Sequence, residues 1–305
     1  MIDNPRDLIS PKGFLLFLDG LRSLKSLTIL FGMDRAVTDD IFIHLASRPG
    51  LQSLGLKNRL TPQLISDAER RQQGKQLFPH LLKLVCTAES GGFLALAPHL
   101  SQLTHLELTL VDNATSTAND GIFSQLATAC PNLQSLEIEY AASEVKDISP
   151  DELIFLALTL QHLQALHLHG KNIGASDLRD AGFGKVAEAL PKLSILRLPF
   201  QCGLTEEALR RLGKSCGGTL VECELWGRYN LLSLEGEGVL FPVLEELTLG
   251  EVVSSAALDQ IMGEAGKVAA LLKKCAPKLQ RFESEGKGPF DTAVEAAWRE
   301  LSNQH

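Results

Sequence analysis

The chain has 305 residues, of which 45% are apolar, and a formal net charge of −8 from 29 basic and 37 acidic residues. These values allow one elongated array or two ordinary domains. The basic residues are scattered and form no basic stripe, which excludes nucleic acid as the main partner. Six irregularly spaced cysteines exclude a secreted disulfide framework.

The N-terminal segment, residues 1–20, contains the apolar run GFLLFL at helical spacing, and we expect it to form an N-terminal cap. This run is short and follows acidic residues, and the chain contains no apolar stretch of about 18 residues that would span a bilayer. We therefore expect an intracellular protein, cytoplasmic or nuclear, with no membrane partner.

A repeated L-x-x-L-x-L pattern dominates the rest of the chain. Its first residues are Leu24, Leu51, Leu81, Leu103, Leu133, Leu163, Leu193, Leu220, Leu244 and Leu279. Within each copy, L-x-L is a period-two signal that places the two apolar side chains on one side of a short strand. The sequence therefore predicts about ten strands, each with one buried face.

Helical patterns follow most of these strands, for example TDDIFIHLAS, GIFSQLATAC and TEEALRRLGKSC. A proline often lies two residues before the first leucine, where it ends the helix and favours an extended chain. Ser149 and Glu152 around Pro150 predict a capping box. Little room for a helix is left in the segment GRYNLLSLEGEGVLF. The polar composition of residues 67–75 predicts an exposed loop or a solvated helix.

A unit of this size cannot bury its apolar face alone, so consecutive units must stack. The sequence thus predicts an α/β solenoid formed by residues 1–305 as a single domain. Its last segment, 285–305, predicts a C-terminal capping helix that places Val294 and Trp298 on the open end of the stack.

These repeats resemble the leucine-rich-repeat superfamily, in particular ribonuclease-inhibitor-like proteins and the cysteine-containing repeats of F-box proteins. VTDDIFIHLASRPGLQSLGL and LTEEALRRLGKSCGGTLVECEL carry the resemblance. It implies a horseshoe with parallel strands on the concave face and helices on the convex face. A clear F-box is not found in the chain, so a ubiquitin-ligase adaptor is an expected partner only if an F-box lies upstream.

The residues between the buried leucines should share the concave face, with adjacent repeats about 5 Å apart. The sequence predicts a protein-binding face there, formed by Glu107, Glu137, Glu139, His167, His169, Arg197, Glu224 and Trp226. Its acidic part favours a basic segment of the partner, and Trp226, Arg228 and Tyr229 are residue types that often anchor interfaces.

The stacked register also predicts that Glu137 neighbours His167 and that Glu139 neighbours His169. Such a group offers metal ligands, but a charged surface in contact with water accounts for it equally simply, so we expect no metal and no cofactor. Motifs for phosphate binding or hydrolysis are absent, and no cysteine has an identifiable activating neighbour. We therefore expect no catalytic residue.

The resemblance implies a non-enzymatic recognition module similar to the substrate-binding repeats of an F-box protein in a cullin-type ubiquitin ligase. The alternative is a stand-alone leucine-rich-repeat scaffold or inhibitor with no ligase link. An enzyme or metal-dependent protein that uses the histidines and carboxylates of the face is the third interpretation. The fold alone does not choose between them.

Overall fold

The structure is a computed structural model that describes residues 9–29, 36–111, 121–141, 146–254 and 260–303. The chain divides into two compact units, Met1–Glu144 and Val145–His305. The expectation of a single domain and the horseshoe curvature stay predictions.

The first unit alternates helices and strands along the chain. Its described elements are α1 (Pro11–Gly20), β1 (Ser26–Ile29), α2 (Asp39–Ala46), β2 (Ser53–Leu60), α3 (Pro62–Gln72), β3 (Lys83–Ala88), α4 (Ser90–Leu96), a 3-10 helix (Ala97–His99), β4 (His105–Leu110), α5 (Ile122–Ala129) and β5 (Ser135–Tyr140). The five strands form a parallel sheet in chain order, from β1 to β5.

The second unit repeats this plan and adds further strands. Its described elements are β6 (Lys146–Asp147), α6 (Pro150–Thr159), β7 (Ala165–Gly170), β8 (Ile173–Arg179), α7 (Asp180–Ala189), β9 (Ile195–Leu198), β10 (Gln201–Gly203), α8 (Glu206–Cys216), β11 (Glu222–Tyr229), a 3-10 helix (Leu231–Leu234), β12 (Glu246–Val252), α9 (Ile261–Cys275), β13 (Arg281–Ser284) and α10 (Pro289–Ser302). The strands β7, β9, β11, β12 and β13 form one parallel sheet, and β10, β8 and β6 form a second one.

The ten predicted strands are all present, and each begins two residues after the first leucine of its L-x-x-L-x-L copy. At the junction between two successive repeats, one backbone carbonyl just before a strand accepts two N–H groups from the start of the next strand. The Lys25 carbonyl accepts the N–H groups of Gln52 and Ser53 at 2.8 and 3.0 Å, and the Val221 carbonyl accepts those of Glu245 and Glu246 at 2.8 and 3.2 Å. The strands are therefore aligned before their own ladder hydrogen bonds begin.

Leucine side chains of the strands and apolar side chains of the helices form the core. Leu54, Leu106, Leu136 and Leu196 are each 1% exposed. The substitutions that interrupt the pattern are also buried, with Cys223 at 3% and Phe282 at 4%. Burying each leucine contributes roughly 2 kcal/mol through removal of apolar surface from water.

Several local predictions need correction or refinement. Ser149 precedes α6, but its side chain makes no cap hydrogen bond, so its half of the predicted capping box does not form. The helix interpretation of 67–75 is confirmed for its first part, since α3 extends to Gln72. The GRYNLLSLEGEGVLF segment contains a single short 3-10 helix, Leu231–Leu234, as its length requires.

The three-stranded sheet of β6, β8 and β10 is absent from the sequence interpretation. Carboxylates reinforce it from one repeat to the next. Asp147 accepts hydrogen bonds from the N–H and the hydroxyl of Ser176 at 2.9 and 2.7 Å. Asp180 accepts the equivalent pair from Thr205 at 2.9 and 2.8 Å. These contacts order the segments that follow the main strands.

The C-terminal helix α10 packs on the last strand of the second unit. Trp298 and Val294 are buried as predicted, and the Trp298 ring lies edge-on to Phe282 with 6.4 Å between the ring centroids. The buried Asp291 accepts the N–H of Val252 at 2.8 Å and the N–H of Gly288 at 3.2 Å, and it also bonds the Ser284 hydroxyl. It therefore ties β12, β13 and the start of α10 together.

Candidate protein-binding face and pocket

The exposed strand face of the first unit is acidic at its C-terminal edge. Glu107 on β4 lies opposite Glu137 on β5, and Thr109 lies opposite Glu139, as the predicted register requires. The Thr109 hydroxyl donates a hydrogen bond of 3.2 Å to Glu139. Glu107 and Glu139 are exposed and Glu137 is half-buried. Three carboxylates are thereby presented side by side on adjacent strands.

The exposed strand face of the second unit carries both signs of charge. His167 on β7 lies opposite Arg197 on β9, which in turn lies opposite Glu224 on β11. The rings of His167 and His169 are stacked with centroids 4.3 Å apart. Arg197 also donates to Glu222 on β11. All of these side chains are half-buried, as alternation along a strand with one buried face predicts.

Two predicted contacts, from Glu137 to His167 and from Glu139 to His169, join residues of different units. These contacts stay predictions, as does the expectation that no metal binds there.

Trp226 lies in a bulge of β11. The register of β11 against β12 shifts between Leu225 and Arg228, so Trp226 and Gly227 occupy extra length in the strand. Bulges often redirect a side chain next to a binding site. Arg228 is exposed and pairs with Glu251 at 2.8 Å.

Tyr229 is not an interface residue, contrary to the prediction. It is fully buried, and its hydroxyl donates to the Leu225 carbonyl at 3.4 Å. Tyr229 keeps the alternation of Cys223 and Leu225, which are also buried, whereas Trp226 and Arg228 are not. The period-two pattern of the strand therefore directs the Tyr229 side chain inward.

A pocket of about 520 Å³ lies beside the bulge, entirely within the second unit. Residues from 201–205, 226–228, 250–251 and 285–288 line it. The sequence analysis identified Trp226 but missed the pocket. The sequence feature that could have indicated the pocket is a glycine near the end of each of three successive strands, in LWGRY, TLGEV and SEGKG.

The pocket contains one thiol, that of Cys202, and its environment makes it a poor nucleophile. Burial raises the pKa of Cys202 to about 12, and the charge of Asp147 acts in the same direction. Burial likewise raises the pKa of Cys86 and of Cys130 to about 12. These thiols stay protonated near neutral pH, and the thiolate is the reactive form.

Glu224, on the exposed strand face, is influenced by its neighbours in the second unit. Burial raises its pKa, the positive charge of Arg197 lowers it, and the negative charge of Glu285 raises it again. The net direction is upward. Glu224 therefore carries its charge at a free-energy cost that a nearby cation would reduce.

Among the helices of the described residues, none combines the length and the apolar character that a membrane crossing requires.

No protein-family model and no curated protein matches the chain. A solved structure is similar: the crystal structure of the Rad7 and Elc1 complex in yeast matches with a TM-score of 0.53 and 14% sequence identity, over 90% of this chain and 73% of the chain in that structure. At this identity the likeness concerns the fold alone. Together with the parallel strands and the intervening helices, it is consistent with a leucine-rich-repeat-like fold.

Proposed function

We propose that the protein is a non-enzymatic recognition module that binds another protein on its exposed strand faces. The observation that carries this proposal is the regular presentation of polar and charged side chains, from Glu107 on β4 to Glu224 on β11, on strands whose opposite side is buried. Such a preorganised surface binds without paying for the ordering of loops.

The chemistry of the face favours a partner with a basic segment. Glu107, Glu137 and Glu139 are adjacent on β4 and β5, and opposite charge on a partner would speed association and fix its orientation. In the second unit, Trp226 supplies an aromatic anchor of the kind that contributes most to interface energy. His167, His169, Arg197 and Glu224 complete the proposed contact set there.

The finer form of this proposal is a role similar to the substrate-binding repeats of an F-box protein in a cullin-type ubiquitin ligase. The similar yeast chain was solved in a complex of two proteins, Rad7 and Elc1, which supports a role for this fold within protein assemblies. Ubiquitin transfer would be carried out by other subunits.

The test is affinity capture from matched cell extract, with partners identified by mass spectrometry. We expect the Glu107→Lys/Glu139→Lys variant to lose the partner, because both carboxylates are exposed and a reversed charge repels a basic segment. The matched control is Glu188→Lys/Glu300→Lys, which makes the same charge change on exposed positions of α7 and α10.

Circular dichroism should show that both variants are folded. Loss of the partner from the strand variant alone supports the proposal. Equal recovery with wild type and both variants would contradict it and would move the binding site to the helices or loops.

A further inference from the structure

Glycine residues form part of the lining of the pocket beside the β11 bulge. A Cβ atom on Gly250 would lie 2.6 Å from the backbone nitrogen and oxygen of Gly227. A Cβ atom on Gly227 would lie 2.5 Å from the Leu204 carbonyl oxygen, and one on Gly286 would lie 2.3 Å from Asp291 Oδ1. Close packing of successive repeats therefore requires glycine, and the same glycines leave room above the backbone.

The walls of the pocket combine an indole with carboxylates. Trp226, Glu251 and Glu285 are among the residues that line it. Within the described part of the chain, Glu285 makes no ion pair or hydrogen bond through its carboxylate. Glu251, by contrast, neutralises Arg228 at 2.8 Å. The pocket thus presents one unneutralised carboxylate near an aromatic ring.

A second carboxylate contributes to the same environment. The charge of Glu285 helps to raise the pKa of Glu224, after the larger effect of burial, so the two carboxylates repel each other near Trp226. Arg197, which reduces this repulsion, also bonds Glu222. A cation entering the pocket would remove repulsion from the protein as well as gain attraction.

We propose that this pocket binds the cationic side chain of an arginine or lysine in an extended segment of the partner protein. The inference rests on the proposed recognition function and specifies its chemistry. An indole face attracts a guanidinium or ammonium group, and the carboxylate fixes the charged end. The open glycine lining accommodates the backbone and small neighbouring residues of the bound segment.

Lys287 is the opposing charge at this site. It lines the pocket together with Glu285, and its ammonium group works against a bound cation. Neutralising Lys287 should therefore tighten binding, whereas neutralising Glu285 should weaken it. These opposite effects distinguish a cation site from a site for an anion.

The experiment uses the full chain and three peptides with blocked termini: Gly-Arg-Gly, Gly-Lys-Gly and Gly-norleucine-Gly. Binding is followed by NMR through the indole N–H resonance of Trp226, assigned with the Trp226→Phe variant. We expect saturable shifts with the arginine and lysine peptides and none with norleucine, which has the same length of carbon chain as lysine without its charge.

Glu285→Gln should weaken binding of the arginine peptide about ten-fold, the loss expected for one charge-assisted contact. Lys287→Gln should strengthen it. The two variants remove opposite charges from the same loop, so each serves as the control for the other. Backbone amide shifts distant from the pocket report whether either variant changes the fold.

Three outcomes overturn the inference: equal binding of the norleucine peptide, no binding of either cationic peptide, or binding of a Gly-Glu-Gly peptide that is lost in Lys287→Gln. If no cationic peptide binds but affinity capture still yields a partner that the Glu107→Lys/Glu139→Lys variant loses, only the pocket assignment is wrong. If capture with the wild-type protein also yields no partner, the proposed recognition function is wrong as well.

Discussion

Two long strands, β2 in the first unit and β11 in the second, both contain a bulge but use it differently. Each has eight residues, and in each the register with the following strand shifts after a buried leucine, Leu56 in β2 and Leu225 in β11. An arginine follows each bulge and pairs with a glutamate, Arg59 with Glu89 at 2.9 Å and Arg228 with Glu251 at 2.8 Å.

The residue inside the bulge makes the difference. In β2, the Asn58 side chain donates a hydrogen bond to the Val37 carbonyl of the preceding repeat. In β11, Gly227 has no side chain, and the corresponding Leu204 carbonyl accepts the backbone N–H of Arg228 at 3.0 Å. One bulge is thus closed by a side chain and the other remains open beside Trp226. The bulges also differ in length, since β2 has two extra residues against β3 and β11 has one against β12.

We expect the largest effect from replacing the buried leucine that precedes each bulge. Leu56→Asp and Leu225→Asp each place a carboxylate where the leucine is 2% or 0% exposed. We expect each to lose several kcal/mol of unfolding free energy, because a buried carboxylate has no compensating partner there. Urea denaturation measures the loss, and hydrogen exchange locates it in the first or the second unit.

Leu56→Met and Leu225→Met are the controls, since a swap that conserves volume costs less than about 1.5 kcal/mol. Native-like exchange protection in Leu225→Asp would show that β11 is not anchored in the way the burial indicates.

Exchanging the bulge residues should give intermediate effects of unequal size. Gly227→Asn brings a Cβ atom within 2.5 Å of the Leu204 carbonyl oxygen, so the backbone must shift, and we expect a loss of about 2 to 3 kcal/mol. Asn58→Gly removes a hydrogen bond and adds chain entropy to the unfolded state, for a loss of about 1 to 2 kcal/mol. Thermal and urea unfolding measure both.

Gly227→Ala separates the steric effect from the polar one, because it adds the Cβ atom alone. We expect it to reproduce most of the Gly227→Asn loss. If Gly227→Asn were instead as stable as wild type, the two bulges would be interchangeable and the comparison would be wrong.

We expect the smallest effect on stability at the position just before the leucine that precedes each bulge. This position is Gly55 in β2 and Glu224 in β11. Burial raises the pKa of Glu224, so the folded state holds this proton more tightly than the unfolded chain does. The charged form therefore costs stability at neutral pH, and the cost disappears as the pH falls below the ordinary glutamate pKa of 4.5.

We expect Glu224→Gln to raise the unfolding free energy at pH 7 by on the order of 0.5 kcal/mol, with partial exposure limiting the gain. The gain should vanish near pH 4. Unfolding curves of both proteins at several pH values test this, and a gain that does not depend on pH would rule out the charge as its cause.

The strands were predictable because burial imposes a strict period on them. Each L-x-L places its leucines on one side, and even Cys223 and Phe282 keep the inward position when leucine is replaced. The neighbours Glu107 and Glu137 followed from the register of the repeats. This success depends on repetition, since one correctly placed repeat fixes the alignment of the next.

The features outside this period were not predictable in the same way. The sheet of β6, β8 and β10 is accompanied by contacts from Asp147 and Asp180 to residues 29 and 25 positions later, and no local pattern indicates them. The pocket lies beside the one extra residue of β11, which no local pattern indicates. The burial of Tyr229, by contrast, follows the same alternation as that of Leu225.

The paired hydrogen bonds from each pre-strand carbonyl have a consequence for how such a chain can change in evolution. Lys25 and Val221 each bond only the next repeat, and the contact is the same whatever lies between the strands. Duplication or deletion of one whole copy would therefore leave every remaining junction chemically unchanged. Gene segments that encode single copies are thus suitable units for lengthening or shortening the protein, while the segments between strands diverge to create individual features such as the pocket beside Trp226.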